Sequence, residues 1–158
     1  METTVRIHHG SYESIPSNAS PGLLFLKMFL PILDSLDEFP PIHHYVSPDA
    51  RFVINGEAPL SLAKVSEMFG MRRKAVQKFK HDVSVAWEIQ REKGYSVIFE
   101  GTSATQFRSD DVECQVAEMN VWELETSGYG EELKLVEARC WMDPSAVRDR
   151  SKVVVSNV

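Results

Sequence analysis

His81 and the charged face of the last predicted strand are the features of this sequence that could carry chemistry. An imidazole titrates close to neutral pH, so His81 can take a proton from a substrate and return it. In the strand, Glu137, Arg139, Trp141 and Asp143 share one face because side chains alternate with period two. Such a face lines a ligand pocket or faces solvent, and the alternative for His81 is a hydrogen-bonded histidine at the rim.

The opposite face of the last strand is mostly apolar. It is formed by Val136, Ala138, Cys140 and Met142. An apolar row of this size needs cover, and exposed apolar patches usually mark interfaces. We therefore predict a homodimer that forms through the convex faces of two sheets.

A second group of candidates lies on one face of the preceding strand, where Glu118, Asn120 and Trp122 alternate with other residues. The side-chain amide of Asn120 can orient a substrate oxygen, and Trp122 can form an aromatic wall, if this face is concave. The alternative is structural. In that case Glu118 pairs with Arg139 across the strands, and the tryptophans belong to the core.

The elements that must position these residues are two helices followed by four long strands. Apolar residues recur at spacings of three and four, which predicts amphipathic helices at residues 21–36 and 60–79. The period then changes to two, which predicts a meander of antiparallel strands at residues 81–89, 95–107, 112–124 and 133–142. We therefore predict an α+β fold in which N-terminal helices pack on a long, curved antiparallel sheet and enclose a pocket, like a cone open at one end.

One domain accounts for most of the chain, which has 158 residues and a formal net charge of -6. The polar residues 1–20 are predicted to be a flexible tail, residues 21–150 the domain, and residues 151–158 a second tail. The net charge argues against nucleic acid or an anionic membrane as a partner. The apolar run at residues 23–33 is too short to span a bilayer.

Several classes of chemistry lack their signatures in this sequence. Cys114 and Cys140 have no zinc-binding spacing and are predicted to be buried free thiols, which fits a reducing, cytoplasmic compartment. The sequence has no nucleophile elbow, no phosphate-binding glycine loop and no dinucleotide fingerprint. We therefore expect neither a metal nor another cofactor.

Four segments resemble the NTF2-like superfamily and, within it, the SnoaL-like group. They are YVSPDARF at residues 45–52, FKHDVSVAWEI at 79–89, MNVWEL at 119–124 and RCWMDP at 139–144. The segments occur in the order of the family, and the resemblance covers residues 23–150. The second segment is similar to fungal SnoaL-like proteins of secondary-metabolite clusters. The family usually has an acidic residue where this chain has Asn120.

The resemblance implies a cofactor-free isomerase or cyclase that acts on a hydrophobic polycyclic intermediate of a polyketide or meroterpenoid pathway. In this interpretation His81 and Asp143 exchange protons with the substrate, because an aspartate near that position serves as acid and base in SnoaL-like cyclases. The residues expected to bind the substrate are Tyr45, Glu118, Asn120, Trp122, Arg139 and Trp141. Asn120 and Tyr45 hold the developing enolate oxygen in this interpretation.

Alternatives remain open at this point. The same fold also supports a dehydratase or a non-catalytic module that binds a ligand or a partner. For Asp143, the alternative to catalysis is a cap of the turn at Pro144, a common use of aspartate where an element ends.

Overall fold

Three helices and a sheet of seven strands make up the protein in a computed structural model that describes residues 2–38, 40–126 and 132–156. The helices are α1 (Pro21–Asp34), α2 (Leu62–Ala75) and α3 (Ser145–Ser156). The strands are β1 (Val5–His9), β2 (Val46–Ile54), β3 (Leu60–Ser61), β4 (Val76–Gln90), β5 (Gly94–Phe107), β6 (Glu113–Thr126) and β7 (Leu133–Met142). Their order in the open sheet is β1-β4-β5-β6-β7-β2-β3, and every neighbouring pair is antiparallel except β2 and β7. The predicted α+β class is confirmed.

The four longest strands, β4 to β7, form the predicted antiparallel meander. β4 begins earlier than predicted, because α2 ends at Ala75 and the chain enters the strand directly at Val76. The helix was predicted to continue to Phe79. Phe79 instead belongs to the period-two series that continues through His81 and Val83. The basic residues in the last turn of α2 suit the negative end of a helix dipole, so they indicate the true end of the helix.

The predicted N-terminal tail is wrong. Residues Val5–His9 form β1, which pairs with β4. Tyr12 and Ile15 then enter the core, and Ile15 is only 1% exposed. These apolar residues are isolated in a polar segment, so no periodicity indicated their burial. At the other end, α3 extends to Ser156, where a tail was predicted from residue 151.

Helix α1 lies against β4 and is tied to it at both ends. At the N-terminus, the buried carboxylate of Glu88 accepts hydrogen bonds from the backbone N–H groups of Gly22 and Leu23, at 2.7 and 3.1 Å. The same carboxylate pairs with Arg6 of β1 at 3.1 Å. An anion is favoured here because the first N–H groups of a helix have no intrahelical partners. The second tie, at Asp34, belongs to the candidate site.

A bulge in β4 places both ties on the same face of the strand. It follows Val83 and lies opposite Gly101 of β5. His81 and Glu88 are an odd number of positions apart, so an unbroken strand would direct them to opposite faces. The extra residue of the bulge restores their common direction. Glycine is required at position 101 because a Cβ atom there would lie 1.9 Å from the carbonyl oxygen of Asp82.

Replacing Glu88 with alanine should lower the free energy of unfolding by about 2–4 kcal/mol. The change leaves two buried amides of α1 and the guanidinium of Arg6 without their partner. Urea denaturation followed by circular dichroism measures the loss. The control is Glu92→Ala in the exposed turn after β4, which should change the free energy by less than about 0.5 kcal/mol. Equal losses in the two variants would contradict the role of Glu88 as a tie.

Candidate active site

The inner face of the sheet and the three helices enclose a pocket of about 640 Å³. Its wall is mostly apolar and includes Leu30, Phe52, Val65, Phe99 and Trp122. The polar groups gather on β4, β5 and β6, and they include His81, Ser103, Glu118 and Asn120. This volume accommodates a drug-sized molecule, and an apolar wall with a few convergent polar groups is typical of a ligand site.

His81 lies between two carboxylates on the polar side of the pocket. Its Nδ1 is 2.5 Å from Oδ1 of Asp34, and its Nε2 is 2.7 Å from Oε1 of Glu118. Oδ2 of Asp34 also accepts a hydrogen bond from the backbone N–H of His81 at 2.8 Å. Asp34 is the last residue of α1, so this contact is the second tie between α1 and β4. All three side chains are at most 15% exposed.

The two carboxylates keep His81 protonated at neutral pH. Burial by itself lowers the pKa of a histidine, but the hydrogen bonds to Asp34 and Glu118 and the charges of these carboxylates outweigh it and raise the pKa of His81 to about 9. Burial raises the pKa of Glu118, but the hydrogen bond from His81 and the imidazolium charge outweigh it and hold that pKa below its usual range. His81 is therefore an imidazolium whose two N–H groups both donate to carboxylates.

Two further side chains act on Glu118. The side-chain amide of Asn120 donates a hydrogen bond to Oε1 of Glu118 at 2.9 Å, and the hydroxyl of Ser103 has a smaller effect that also lowers the pKa of this carboxyl. Asn120 is the next residue on the inner face of β6, and Ser103 lies on the neighbouring strand β5. A carboxamide has two N–H donors, and the contact with Glu118 uses one of them.

Solved structures share this arrangement of helices and sheet. An NTF2-like protein of unknown function from Exiguobacterium sp. 255-15 matches with a TM-score of 0.59 and 18% identity, over 75% of this chain and 98% of that chain. A putative SnoaL-like polyketide cyclase from Shewanella denitrificans OS-217 matches with a TM-score of 0.59 and 12% identity, over 82% of this chain and 96% of that chain. This chain has the NTF2-like fold.

A third structural neighbour is a pinacolase from Penicillium brevicompactum. Its TM-score is 0.61 at 12% identity, over 84% of this chain and 94% of that chain. At such identities the likeness establishes the fold alone. No family model and no curated protein matches the sequence. In the described parts of the chain, no helix is long and apolar enough to cross a membrane.

The prediction of which face of β7 lines the pocket of this NTF2-like sheet is wrong. Directly opposite residues of an antiparallel pair share a face, and Cys140 lies opposite Asn120, whereas Trp141 lies opposite Met119. The residues of β7 that line the pocket are therefore Leu135, Ala138, Cys140 and Met142. Three of the four residues predicted to form a dimer interface, Ala138, Cys140 and Met142, instead line the pocket within their own chain. The homodimer stays a prediction, but it loses this surface.

Arg139 and Trp141 lie on the outer face of the sheet. Trp141 is 41% exposed and borders an open groove there. Arg139 donates from Nε to Oε1 of Glu137 at 2.6 Å, so the alternative pairing of Arg139 with Glu118 does not form. Neither residue reaches the pocket. Alternation separated residues 137–142 correctly but assigned the two faces to the wrong sides, because both faces of β7 combine apolar and polar residues. A register shift before Glu137 also places Leu135 on the pocket side, which simple alternation does not predict.

The two remaining aromatic candidates have different positions. Trp122 is 3% exposed and lines the pocket, where its ring packs against Phe25 and Phe99. Tyr45 stacks on Phe29 with ring centroids 5.3 Å apart, and it is not part of the pocket wall. Contact of Trp122 with a substrate stays a prediction. The geometry gives Tyr45 a packing role instead of a contact with a substrate oxygen.

Asp143 lies outside the pocket, just before α3. Its Oδ1 accepts a hydrogen bond from the backbone N–H of Ser145 at 3.0 Å, and this contact holds the pKa of the carboxyl below its usual range. The residue is exposed. An aspartate here satisfies one of the free N–H groups in the first turn of a helix. The geometry corresponds to the alternative role, a cap after β7.

Asp34 is a site residue that the sequence patterns did not indicate, although they contain a signal for it. The helix dipole disfavours an aspartate at the C-terminal end of a helix, and α1 is otherwise mostly apolar. A residue that opposes its local structure is typical of a functional site. Its partner could not be identified, because His81 is remote in the chain and meets Asp34 only when α1 packs on β4.

Cys140 is also part of the pocket wall, opposite Asn120. Burial, with a smaller effect of the Glu118 charge, raises the pKa of the Cys140 thiol to about 12. The thiol therefore stays neutral at physiological pH and is a poor nucleophile. Both cysteines are free, as predicted, and Cys114 is the more buried of the two.

Proposed function

We propose that this protein is a cofactor-free isomerase or cyclase that moves a proton within a hydrophobic, oxygenated polycyclic substrate. The observation that supports this proposal is the row of Asp34, His81 and Glu118, of which His81 and Glu118 line the wall of an apolar pocket. Buried ionisable groups that perturb one another's pKa values in a cleft are typical of acid–base sites. The roles differ from those predicted, because Glu118 and Asp34 take the place of Asp143.

Glu118 is the proton acceptor in this mechanism. Its carboxylate is ionised at neutral pH, lines the pocket and is held by His81 and Asn120. A bound carbon acid or hydroxyl gives its proton to Glu118, which becomes a neutral carboxylic acid. The acid then returns the proton to another atom of the same substrate, which produces an isomer or closes a ring. A fixed carboxylate in an apolar pocket needs little reorganisation for this transfer.

His81 and Asp34 position the base and balance its charge. Before the reaction, the two carboxylates and one imidazolium carry a net negative charge. When Glu118 takes up a proton, the negative charge moves to the substrate as an enolate or alkoxide. The imidazolium is adjacent to that charge and stabilises it, together with the N–H of Asn120 that Glu118 does not use. Asp34 keeps the imidazole oriented through two contacts with His81.

The polycyclic substrate class is supported by the pocket and by the neighbours. The pocket has room for several fused rings, and Trp122 and Phe99 offer flat apolar surfaces. Solved structures of the same fold include a putative polyketide cyclase and a pinacolase. We infer a polyketide or meroterpenoid intermediate. Deletion of the gene in its host should accumulate a compound that the purified protein converts, as mass spectrometry and NMR can establish.

The proposed chemistry can be tested with 5-nitrobenzisoxazole, a neutral probe whose ring opens when a base removes one C–H proton. The phenolate product is measured by its absorbance. Wild-type protein should accelerate the opening over buffer, and His81→Gln should reduce kcat/KM at least about tenfold, because Glu118 loses its positioning partner. The control, Asp143→Asn, should stay within about twofold of wild type.

Two results would contradict the proposal. Loss of turnover in Asp143→Asn with full turnover in His81→Gln would place the chemistry at the end of β7. Binding of the probe without any acceleration by wild-type protein would favour the non-catalytic ligand-binding module. Circular dichroism spectra of both variants establish that they are folded before rates are compared.

A further inference from the structure

Arg72 is a partly buried cation of the pocket wall that the proposed proton transfer does not use. It lies in the last turn of α2 and lines the same cavity as Glu118. Its guanidinium carbon is 4.6 Å from the centroid of the Phe69 ring and 4.0 Å from that of Phe79. Stacking on two aromatic rings holds a planar guanidinium in one orientation. The Phe79 ring in turn contacts the His81 ring edge-on, with centroids 5.3 Å apart.

The hydrogen-bonding capacity of Arg72 is mostly unused. Nη2 donates to the carbonyl oxygen of Leu33, at the end of α1. Nε is buried and has no hydrogen-bond partner within the described residues. Among those residues, no carboxylate lies within ion-pair distance of Arg72. A guanidinium has five N–H donors, and an unsatisfied buried donor or charge is costly.

The carboxylate whose charge acts on Arg72 is already engaged. The charge of Asp34 acts on Arg72, but both oxygens of Asp34 accept hydrogen bonds from His81. Burial lowers the pKa of Arg72 to about 10, so the side chain remains a cation at neutral pH. Within the part of the chain that the structure describes, the cation thus lines an apolar cavity with free donors and without a paired anion, while the proton-transfer groups lie one aromatic ring away.

We propose that Arg72 binds a carboxylate of the substrate, so that the pocket selects a hydrophobic acid over its neutral analogues. The inference rests on the proposed function, because it concerns the same pocket. Guanidinium and carboxylate groups match in geometry, and a charge-assisted contact inside an apolar pocket is strong. With its carboxylate at Arg72, a fused-ring acid extends past Phe79 toward Glu118. The anchor therefore determines which ring carbon reaches the base.

Charge selection can be measured with 2-naphthoate and 2-naphthamide, which have the same shape and differ in charge. Isothermal titration calorimetry at pH 7 should show that wild-type protein binds the naphthoate at least about tenfold more tightly. Arg72→Met should remove this preference by weakening naphthoate, with a smaller effect on the amide. Arg72→Lys keeps the charge and should retain part of the preference. Near-UV circular dichroism of each variant verifies its packing.

Two neighbouring arginines are matched controls. Arg73 precedes Lys74 in the same turn but borders a different cavity, and Arg148 lies at the pocket wall with a mostly exposed side chain. Arg73→Met should leave the naphthoate preference unchanged. Loss of the preference in Arg148→Met but not in Arg72→Met would overturn the inference, because the anion would then bind at Arg148. Equal affinity of wild-type protein for the two ligands, or no binding of naphthoate, would also overturn it.

The two proposals fail in different ways. Ligand binding is measured at equilibrium and without turnover, so it does not depend on Glu118 as a base. The probe 5-nitrobenzisoxazole has no carboxylate for Arg72 to bind. Its turnover therefore tests Glu118 as a base independently of the proposed role of Arg72. Charge selection without probe turnover would leave Arg72 as the anchor of a ligand-binding module.

Discussion

Glu118→Gln should reduce kcat/KM for the opening of 5-nitrobenzisoxazole by about 10²–10⁴-fold, the usual contribution of a general base. Glutamine has the size of glutamate and can still accept a hydrogen bond from His81, but it cannot take up a proton. The loss should appear mainly in kcat, because the substitution removes a transition-state interaction and little of the pocket wall. Stopped-flow or plate-reader absorbance measures both parameters.

The control for this substitution lies on the same strand. Glu113 is exposed on the outer face of β6 and pairs with Lys78 at 2.5 Å, so Glu113→Gln removes the same charge away from the pocket. It should leave kcat/KM within about twofold of the wild-type value. If Glu118→Gln retains full activity in a folded protein, Glu118 is not the base and the mechanism is wrong.

The pH profile of the wild-type rate also tests the assignment of Glu118 as the base. Because interactions with His81 hold the pKa of Glu118 below the ordinary value of 4.5, kcat/KM should stay level on lowering the pH to about 5 and fall only below that ordinary value. On the alkaline side, His81 loses its proton near a pKa of about 9. Its Nε2 then presents a lone pair to Glu118 instead of an N–H, so the rate should decline there.

The free energy of unfolding should fall by about 2–3 kcal/mol between pH 6 and pH 8.5 because of His81. The pKa of His81 is raised from 6.5 to about 9 in the folded protein. Over this window the folded state keeps a proton that the unfolded chain releases, so the free energy of unfolding falls as the pH rises. The stabilisation is complete below the unfolded pKa of 6.5 and is lost as the pH rises through the folded value.

Urea denaturation at several pH values tests this coupling. His81→Gln cannot titrate, so its unfolding free energy should be lower than that of wild type at pH 6 and should vary less with pH over the same window. The window ends below pH 9.0, the reference pKa of a thiol, because ionisation of Cys140 in the unfolded chain adds a second pH dependence above it. Parallel pH dependences in the wild type and the variant would show that His81 is not held as an imidazolium.

The elements that were predicted correctly are those in which many residues follow one sequence period. α1 carries apolar residues at helical spacing over its whole length, and in β6 buried residues alternate with less buried ones from Glu113 to Leu124. Such periods follow from backbone geometry alone, so they survive in any tertiary context. Segments with only one or two apolar residues, such as the one around Ile15, give no period, and their burial became visible only in the structure.

The candidate site was only partly predictable. His81, Glu118 and Asn120 were selected by residue type and by shared faces, and the structure brings them together. Asp34 and Arg72 come from helices whose ends meet the sheet, a proximity that depends on the packing of α1 and α2. Asp143, Arg139 and Trp141 were selected because they share a strand face, and they proved to lie outside the pocket.

The sequence by itself determined the α+β class, the meander of long strands and the presence of a titratable histidine on one of these strands. The tertiary structure decided which side of each strand is the inside, because alternation defines two faces without saying which one the helices cover. In β7 the apolar face, and not the predicted face with Arg139 and Trp141, lines the pocket, because the wall of an apolar pocket is itself apolar. It also decided which groups surround His81, because the end of α1 places Asp34 on one side of the ring and β6 places Glu118 on the other.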